Sequence, residues 1–357
     1  MSDRFTMPEM PGASVVRATP AGTTTAGTAT AGTTTAGTTT AGKRLGAMCA
    51  ATQGIAEGDW PAALDYAERL GLDGVLFPTP SAASPSLDPA ELAEARAAAA
   101  ERGLFVESGI GFLGPADDPA PLLDELLAAA KAAAALGCTQ FFAYTRTERR
   151  GGLENHRRQL AQIERTLRGM RPFLEEHGCR VNIKTHEDLS SVEVLRLVET
   201  LGADVFGVSL DVANLVVRGE DPAAATRRLA PYVHQTHLED VALSFVDRGL
   251  RRRLRPCGDG ILDWQSILRC LLDQAPVQHL VFEQHRGRFD VEIFDPAWFD
   301  AEPQVRPEEL AQLVRGAVGS TPDDPAVEVD ADGRAEQLRR SAAYVRSVLE
   351  SISGEPS

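Results

Sequence analysis

An eight-stranded parallel (β/α)8 TIM barrel is the fold class that this 357-residue sequence predicts. Three observations predict it. Short apolar segments alternate with helical ones eight times over about 250 residues, a pattern that calls for parallel strands joined by right-handed crossovers. Most of the helical segments stop at a glycine, the residue best suited to a left-handed helix end. Polar and ionisable residues close several of the apolar segments, and the carboxyl ends of the strands are where barrel enzymes place their chemistry. An open doubly wound sheet is the competing architecture, but no Gly-x-Gly-x-x-Gly follows the first strand.

Residues 1–42 come first and are low in complexity, with repeats of Ala-Gly-Thr-Thr-Thr between Thr23 and Gly42. Such a stretch buries too little to offset its ordering entropy and is expected to be a disordered tail. The barrel is expected over 43–285, with strands at 45–49, 74–77, 104–107, 139–144, 180–184, 205–211, 232–237 and 279–283. The helix at 60–70 stops at Gly71, and Asp88-Pro-Ala-Glu91 caps a second that runs to Gly103. Further helices at 121–136, 154–177 and 191–201 are closed by Gly137, Gly178 and Gly202. Asp221-Pro opens another, and a loop at 240–262 leads into the last, at 264–272. Residues 286–357 are expected to form a helical C-terminal extension, with helices at 307–317 and 334–351. The second of these gathers Leu338, Ala342, Val345 and Leu349 on one side, suited to packing on the barrel or on a partner subunit.

A net charge of −15 argues against a nucleic-acid partner, which needs a basic surface. No apolar run reaches membrane-spanning length, and the N-terminus lacks the basic-then-apolar order of a signal peptide. The five cysteines are scattered without a CxxC, as reduced, buried thiols would be. A cytoplasmic location is the expectation.

The stretch Val181-Asn-Ile-Lys-Thr-His-Glu-Asp188 carries the chemistry. Of 36 basic residues only Lys43, Lys131 and Lys184 are lysines, so an ammonium at Lys184, among His186, Glu187 and Asp188, stands out. Five of the expected strands end in ionisable groups: Glu107, Lys184, Asp211, His237 and Glu283. Side chains two apart share a face of a strand. Counting back from these ends gives Phe105, Asn182, Ser209, Gln235 and Val281, while the other face carries Val106, Ile183, Leu210, Thr236 and Phe282. The second set is the more apolar and suits the outer helices, so the terminal groups are expected to point into the barrel. Asp, His and Glu together are also a ligand set for Mn²⁺, Co²⁺, Mg²⁺ or Zn²⁺. His234 is expected to be structural, and His156 and His177 to be solvated.

Several motifs resemble one family: Thr185-His-Glu-Asp, Ser209-Leu-Asp-Val-Ala-Asn214, Asp221-Pro, Leu229-Ala-Pro-Tyr-Val-His-Gln-Thr-His-Leu-Glu-Asp240, Pro256-Cys-Gly-Asp-Gly-Ile-Leu-Asp-Trp264 and Val281-Phe-Glu283. In this order they resemble the xylose-isomerase-like barrel superfamily of sugar isomerases and epimerases, over about residues 44 to 350 and most densely from 180 to 285. The resemblance implies a divalent metal, proton transfer next to a carbonyl, a small carbohydrate-type substrate, and a homodimer or homotetramer. It implies Asp211, His237 and Glu283 as metal ligands and Glu283 as a catalytic base. The family's fourth ligand, a glutamate ending the fifth strand, is here Lys184. The usual Leu-Lys-Asp is here Leu238-Glu-Asp240.

Three arrangements of Lys184 stay open. Its ammonium replaces the cation and pairs with Asp211 and Glu283, an attraction on the order of 4 kcal/mol at about 4 Å in a partly dry site. Alternatively a metal binds through Asp211, His237 and Glu283, with His186 or Glu187 added, and Lys184 acts as an acid or donor. In the third, burial lowers its pKa and it acts as a base or Schiff-base nucleophile. The catalytic candidates are therefore Glu283, Lys184 and His186. The candidate substrate contacts are Glu107, Asn214 and Arg255. Arg255 belongs to a basic cluster with Arg248, Arg251, Arg252 and Arg253 that suits a carboxylate or phosphate, and Arg146, Arg149 and Arg150 form a smaller one. The expected function is an isomerase or epimerase acting on a sugar or polyol-derived keto compound. A lyase or dehydratase on the same kind of compound is the alternative, and a non-catalytic carbohydrate-binding barrel the second alternative.

Overall fold

The computed structural model describes residues 42–149, 151–284, 287–320 and 329–354. The expected tail, apart from Gly42, lies outside the described residues, as does Arg150.

Eight parallel strands form the barrel wall: β1 (Arg44–Met48), β2 (Gly74–Phe77), β3 (Phe105–Leu113), β4 (Gln140–Thr145), β5 (Arg180–Lys184), β6 (Phe206–Asp211), β7 (Val233–His237) and β10 (His279–Phe282). Neighbours in the wall are neighbours in sequence, and β10 returns to pair with β1. The seam between β7 and β10 is closed by Leu238 N donating to Val281 O at 2.7 Å and Glu283 N to Leu238 O at 3.2 Å.

Most helices of the outer ring start where short polar side chains accept orphan amide protons. Asp59 caps α1 (Trp60–Arg69), and Asp88 caps α2 (Pro89–Glu101). No side chain caps α3 (Ala120–Ala135) or α4 (Leu153–His177). Ser190 and Glu193 form a capping box on α5 (Ser191–Leu201). Asp211, the last residue of β6, caps the single turn α6 (Val212–Leu215). Asp221 caps α7 (Pro222–Leu229), and Asp263 caps α8 (Trp264–Gln274).

The two faces of the strands part as their alternation predicts. Ile183, Leu210 and Phe282 belong to the large apolar shell between wall and helices, with Val106 half-buried against it. Met48, Leu76, Phe105, Phe142 and Val281 make a separate cluster inside the barrel. Gly74 lacks a side chain there for a reason: a Cβ would lie 2.3 Å from the ring of Phe105.

Two expectations are corrected. The third strand does not end at Glu107 but continues to Leu113 through a bulge between Gly109 and Gly111, with Gly111 at a φ of 106°. The segment 240–262 is not a plain loop. It folds into an antiparallel hairpin, β8 (Asp240–Val246) and β9 (Gly249–Arg255), joined by β11 (Arg288–Val291). Only a glycine fits at Gly249, where a Cβ would stand 2.1 Å from Val291 O. Val241, Leu243, Leu250 and Val291 form a third apolar cluster with Ala213 and Leu313.

The C-terminal elements are α9 (Pro296–Ala301), α10 (Pro307–Ala317) and α11 (Ala331–Gly354). Leu338, Ala342, Val345 and Leu349 are buried on α11, which packs on α8 of this same chain. Among the described residues no helix is long and apolar enough to cross a membrane.

Candidate active site

The parallel register sets Lys184 beside Ser209 and Asp211 beside His237, so the ends of β5, β6 and β7 step around one rim. Glu283 follows β10 and completes the group from across the seam. Lys184 Nζ donates to Oε2 of Glu283 at 2.6 Å and lies 3.1 Å from Oδ2 of Asp211. His237 Nδ1 is 2.5 Å from the same Glu283 oxygen but off the line of a hydrogen bond. Its Nε2 and the Ser209 hydroxyl are 2.8 Å apart. Asp211 is held from both sides: its amide donates to Thr185 Oγ1 at 2.7 Å, and Asn214 Nδ2 donates to its Oδ2 at 2.8 Å. Lys184, Asp211, His237 and Glu283 are 3, 2, 0 and 3% exposed, so these charges interact in a dry site. The ring of Phe142 floors it, 4.7 Å from the His237 ring and 5.9 Å from Lys184 Nζ.

The electrostatics follow from this packing. Burial works against the Lys184 ammonium, but Glu283 and Asp211 outweigh it and hold its pKa above the usual lysine value. Burial, followed by the Lys184 charge, pushes His237 below the usual histidine value, which favours the uncharged imidazole. The direction of the Lys184 shift is opposite to the lowered pKa that the Schiff-base arrangement calls for.

Asp211, His237 and Glu283 are metal donors in kind but not in arrangement. The ammonium stands where a cation would sit, between the two carboxylates. Among the described residues no three His, Cys, Asp or Glu side chains converge on a point that could hold an ion. The residues present do not fit a divalent metal.

His186, two residues past the end of β5, is half-buried, its ring 5.5 Å from that of Tyr144. Its Nδ1 is 3.3 Å from Oδ1 of Asp188. Asp188 is buried, and its Oδ2 accepts from Thr145 Oγ1 at 2.9 Å, Thr147 N at 2.7 Å and Thr147 Oγ1 at 3.0 Å. Burial raises its pKa, yet His186 and these donors outweigh burial and hold the carboxyl below the usual range. Asp188 was named from sequence beside Lys184 but given no role of its own, because its partners come from a different strand end. The exposed Phe112 stands 5.7 Å from Tyr144, with the Arg146 guanidinium over its ring.

Asn214 joins the site through Asp211, and Glu107 does not. Glu107 sits lower in the barrel, accepting from Gln235 Nε2 at 3.0 Å and lying 2.7 Å from Nδ1 of His279. Asn182 extends this chain by donating to Gln235 Oε1 at 2.8 Å. Arg255 ends β9 opposite Asp240 and lies on the hairpin. Arg252 is the arginine buried against the site's loops, bonded to Glu187. Asp240 accepts from Trp264 Nε1 at 2.7 Å and from the amides of Gly258 and Leu262, so it fastens the Pro256–Trp264 turn. A hollow of about 340 Å³ lined by Gln140, Arg180, Asp204 and His234 lies at the opposite end of the barrel and contains none of the catalytic candidates.

A buried ionic network surrounds the loops after β4, β5 and β6. Arg149 and His156 both meet Glu193, Arg149 and Arg218 both meet Glu302, and Arg228 bridges Glu220 and Glu309. His156, expected to be solvated, is 1% exposed. Burial raises Glu220 and Glu302 to about 7, whereas His156 and Arg149 overcome burial and hold Glu193 at about 2.

Comparison with known proteins agrees with this architecture. A stretch of 28% identity over 125 residues relates the chain to the uncharacterized protein YihM of Escherichia coli, covering 34% of this chain and 38% of that one. A second, at 25% identity over 103 residues, relates it to the 3-oxo-isoapionate decarboxylase of Pectobacterium atrosepticum, covering 28% and 38%. The chain thus spans little more than a third of either relative's length. Among solved structures, a xylose isomerase domain protein from Planctomyces limnophilus superposes with a TM-score of 0.59 at 15% identity over 88% of this chain and 99% of that one. A D-psicose 3-epimerase superposes with a TM-score of 0.59 at 16% identity, over 86% and 99%. At these identities the superpositions show the fold. The sequence pattern of one family matches residues 64–313, well over half of the chain, and on that match the protein belongs to the xylose isomerase-like TIM barrels.

Proposed function

We propose that this barrel catalyses proton transfer next to the carbonyl of a sugar or polyol-derived keto compound, as an isomerase or epimerase. The observation that carries the reading is the Lys184 ammonium, fixed between Glu283 and Asp211 at the carboxyl ends of the strands. An ammonium has three N–H groups, and two are engaged there. The third is a donor for a substrate carbonyl oxygen. Glu283 removes the proton from the neighbouring carbon, the C–H electron pair moves into the carbonyl, and the enolate oxygen rests against the ammonium. His186 returns a proton to carbon: to the opposite face for an epimer, or to the former carbonyl carbon for an isomer, in which case the proton of the neighbouring hydroxyl passes to the former carbonyl oxygen as the new C=O forms. Asp211 and His237 keep Lys184 and Glu283 in place. The fold neighbours that are sugar epimerases support this substrate class.

A lyase reading has its own support in the similarity to a decarboxylase. There the bond to a carboxylate breaks, CO2 leaves, the electron pair enters the same carbonyl, and His186 protonates the carbon. One experiment separates the readings. The protein is incubated in D2O with a panel of ketoses, inositol ketones and 3-oxo sugar acids, and followed by NMR. Deuterium at the carbon next to the carbonyl, with the skeleton intact, is the expected result. Loss of CO2 selects the lyase, and silence across the panel selects a non-catalytic carbohydrate-binding barrel.

A further inference from the structure

We propose that Lys184 is the resident cation of this site, so that the chemistry runs without a divalent metal and a single substitution, Lys184→Glu, converts the site into a metal centre. This deepens the proton-transfer reading and rests on it for its chemical meaning. The case is one of position and charge. Three groups from three strand ends, Asp211, His237 and Glu283, are buried around the Lys184 ammonium: Asp211 and Glu283 contact it, and His237 contacts the Glu283 oxygen that holds it. The ammonium lies 2.6 Å from one carboxylate and 3.1 Å from the other.

A divalent ion entering among these groups would meet the ammonium at contact distance, in a site where charge is poorly screened. It would also have to break the ion pairs that now satisfy both carboxylates. His237 points the same way: its Nδ1 lies against the oxygen of Glu283 that holds the lysine, so nitrogen and oxygen are not spread around a common ligand point. Two carboxylates of charge −1 with one ammonium of charge +1 leave a site that a further 2+ ion does not complete. Replacing the ammonium by a carboxylate reverses this. Three carboxylates and an imidazole are then held by the same strand ends, and the Lys184 counter-ion is gone. Such a set is oxygen-rich with one nitrogen, as suits Mn²⁺ or Zn²⁺.

The full-length chain, its Lys184→Glu variant and its Lys184→Met variant are stripped with EDTA, dialysed against Mn²⁺ and analysed for bound metal, with thermal unfolding read in parallel. The wild type is expected to retain well under about 0.1 ion per chain and to unfold at the same temperature with or without Mn²⁺. Lys184→Glu is expected to take up about one ion per chain and to be stabilised by Mn²⁺ in an EDTA-reversible way. Lys184→Met, with one donor fewer, should bind more weakly than Lys184→Glu and more strongly than wild type. Stoichiometric, tightly held metal in the wild type overturns the proposal. So does a folded Lys184→Glu chain, judged by circular dichroism, that binds none. If that variant folds only with Mn²⁺ present, the metal has become its counter-ion and the proposal stands; if it folds under neither condition, the order of wild type and Lys184→Met decides. Metal content is read without substrate, so its failure is distinct from a failure to see deuterium exchange.

Discussion

Lys184 Nζ donates to Glu283 Oε2 across 2.6 Å, joining the end of the fifth barrel strand to the end of the last. Both side chains are almost wholly buried, and Asp211 shares the same ammonium. Breaking such an arrangement by removing one partner is far more costly than the arrangement is worth in net stability, because the remaining charges stay buried without compensation. Lys184→Met is therefore expected to lose roughly 3–5 kcal/mol of unfolding free energy. Urea unfolding at neutral pH, compared with Lys184→Met carrying Glu283→Gln and Asp211→Asn as well, checks this. The triple variant should recover much of the loss, and a Lys184→Met chain as stable as the wild type would show that the pair is not the structural centre of the site.

Glu107 makes a contrasting case. Its carboxylate is tied to His279 and Gln235, not to the Lys184 group. Glu107→Leu should lower stability by about 1–3 kcal/mol, since Gln235 and His279 lose a buried acceptor. KM and kcat should each stay within roughly twofold of wild type, the range of an unaltered site. A large rise in KM with stability unchanged would put Glu107 back among the substrate contacts.

The barrel was legible in the sequence because its signals are local. Aspartates open helices, glycines close them, and a period of two separates Lys184, Asn182 and Ser209 from Ile183 and Leu210. What was not legible depends on distance in space. The third strand was expected to stop at Glu107, yet it continues to Leu113 through a bulge at Gly109 and Gly111. The hairpin after β7 was hidden because Arg252 occupies an inward position between Leu250 and Leu254 and masks the alternation. His156 read as an ordinary polar residue of a helix, since nothing near it announces Glu193, 37 residues on. The motif residues Lys184, Asp211, His237 and Glu283 were found together, whereas the two threonines that hold Asp188 carry no pattern at all.

Asp188 positions His186 through its Nδ1, with Thr145 and Thr147 holding the carboxylate in place. If His186 carries a proton in the reaction, Asp188→Asn should lower kcat for deuterium wash-in by about 10- to 100-fold, part of the range for a positioned acid or base, and leave KM nearly unchanged. In a His186→Ala background the same substitution should add almost nothing, because the two act as a unit. Additive losses in that double-mutant cycle would mean that Asp188 acts on the loops and not on His186.

Glu220 gives a pH dependence with a definite sign. It is buried, accepts from Ser191 N and Oγ, and faces Arg228 and the like-charged Glu309. Burial raises its pKa from 4.5 to about 7, so between those values the folded state holds a proton that the unfolded state has released. Stability from this group is thus full below about pH 4.5 and is lost as pH rises to about 7, by roughly 3 kcal/mol for a shift of that size. Gln is close in shape to the protonated carboxyl and cannot ionise. Glu220→Gln should therefore be near wild type in stability at pH 5 and more stable than wild type at pH 8. His234, pushed down to about 4 by burial, and Glu193, held at about 2, act in the opposite sense, but both chains share them and they cancel in the difference. Urea unfolding of the two chains at both pH values reads the effect directly. A difference that stays constant from pH 5 to pH 8 would mean that Glu220 is ionised throughout, with Arg228 compensating its burial in full.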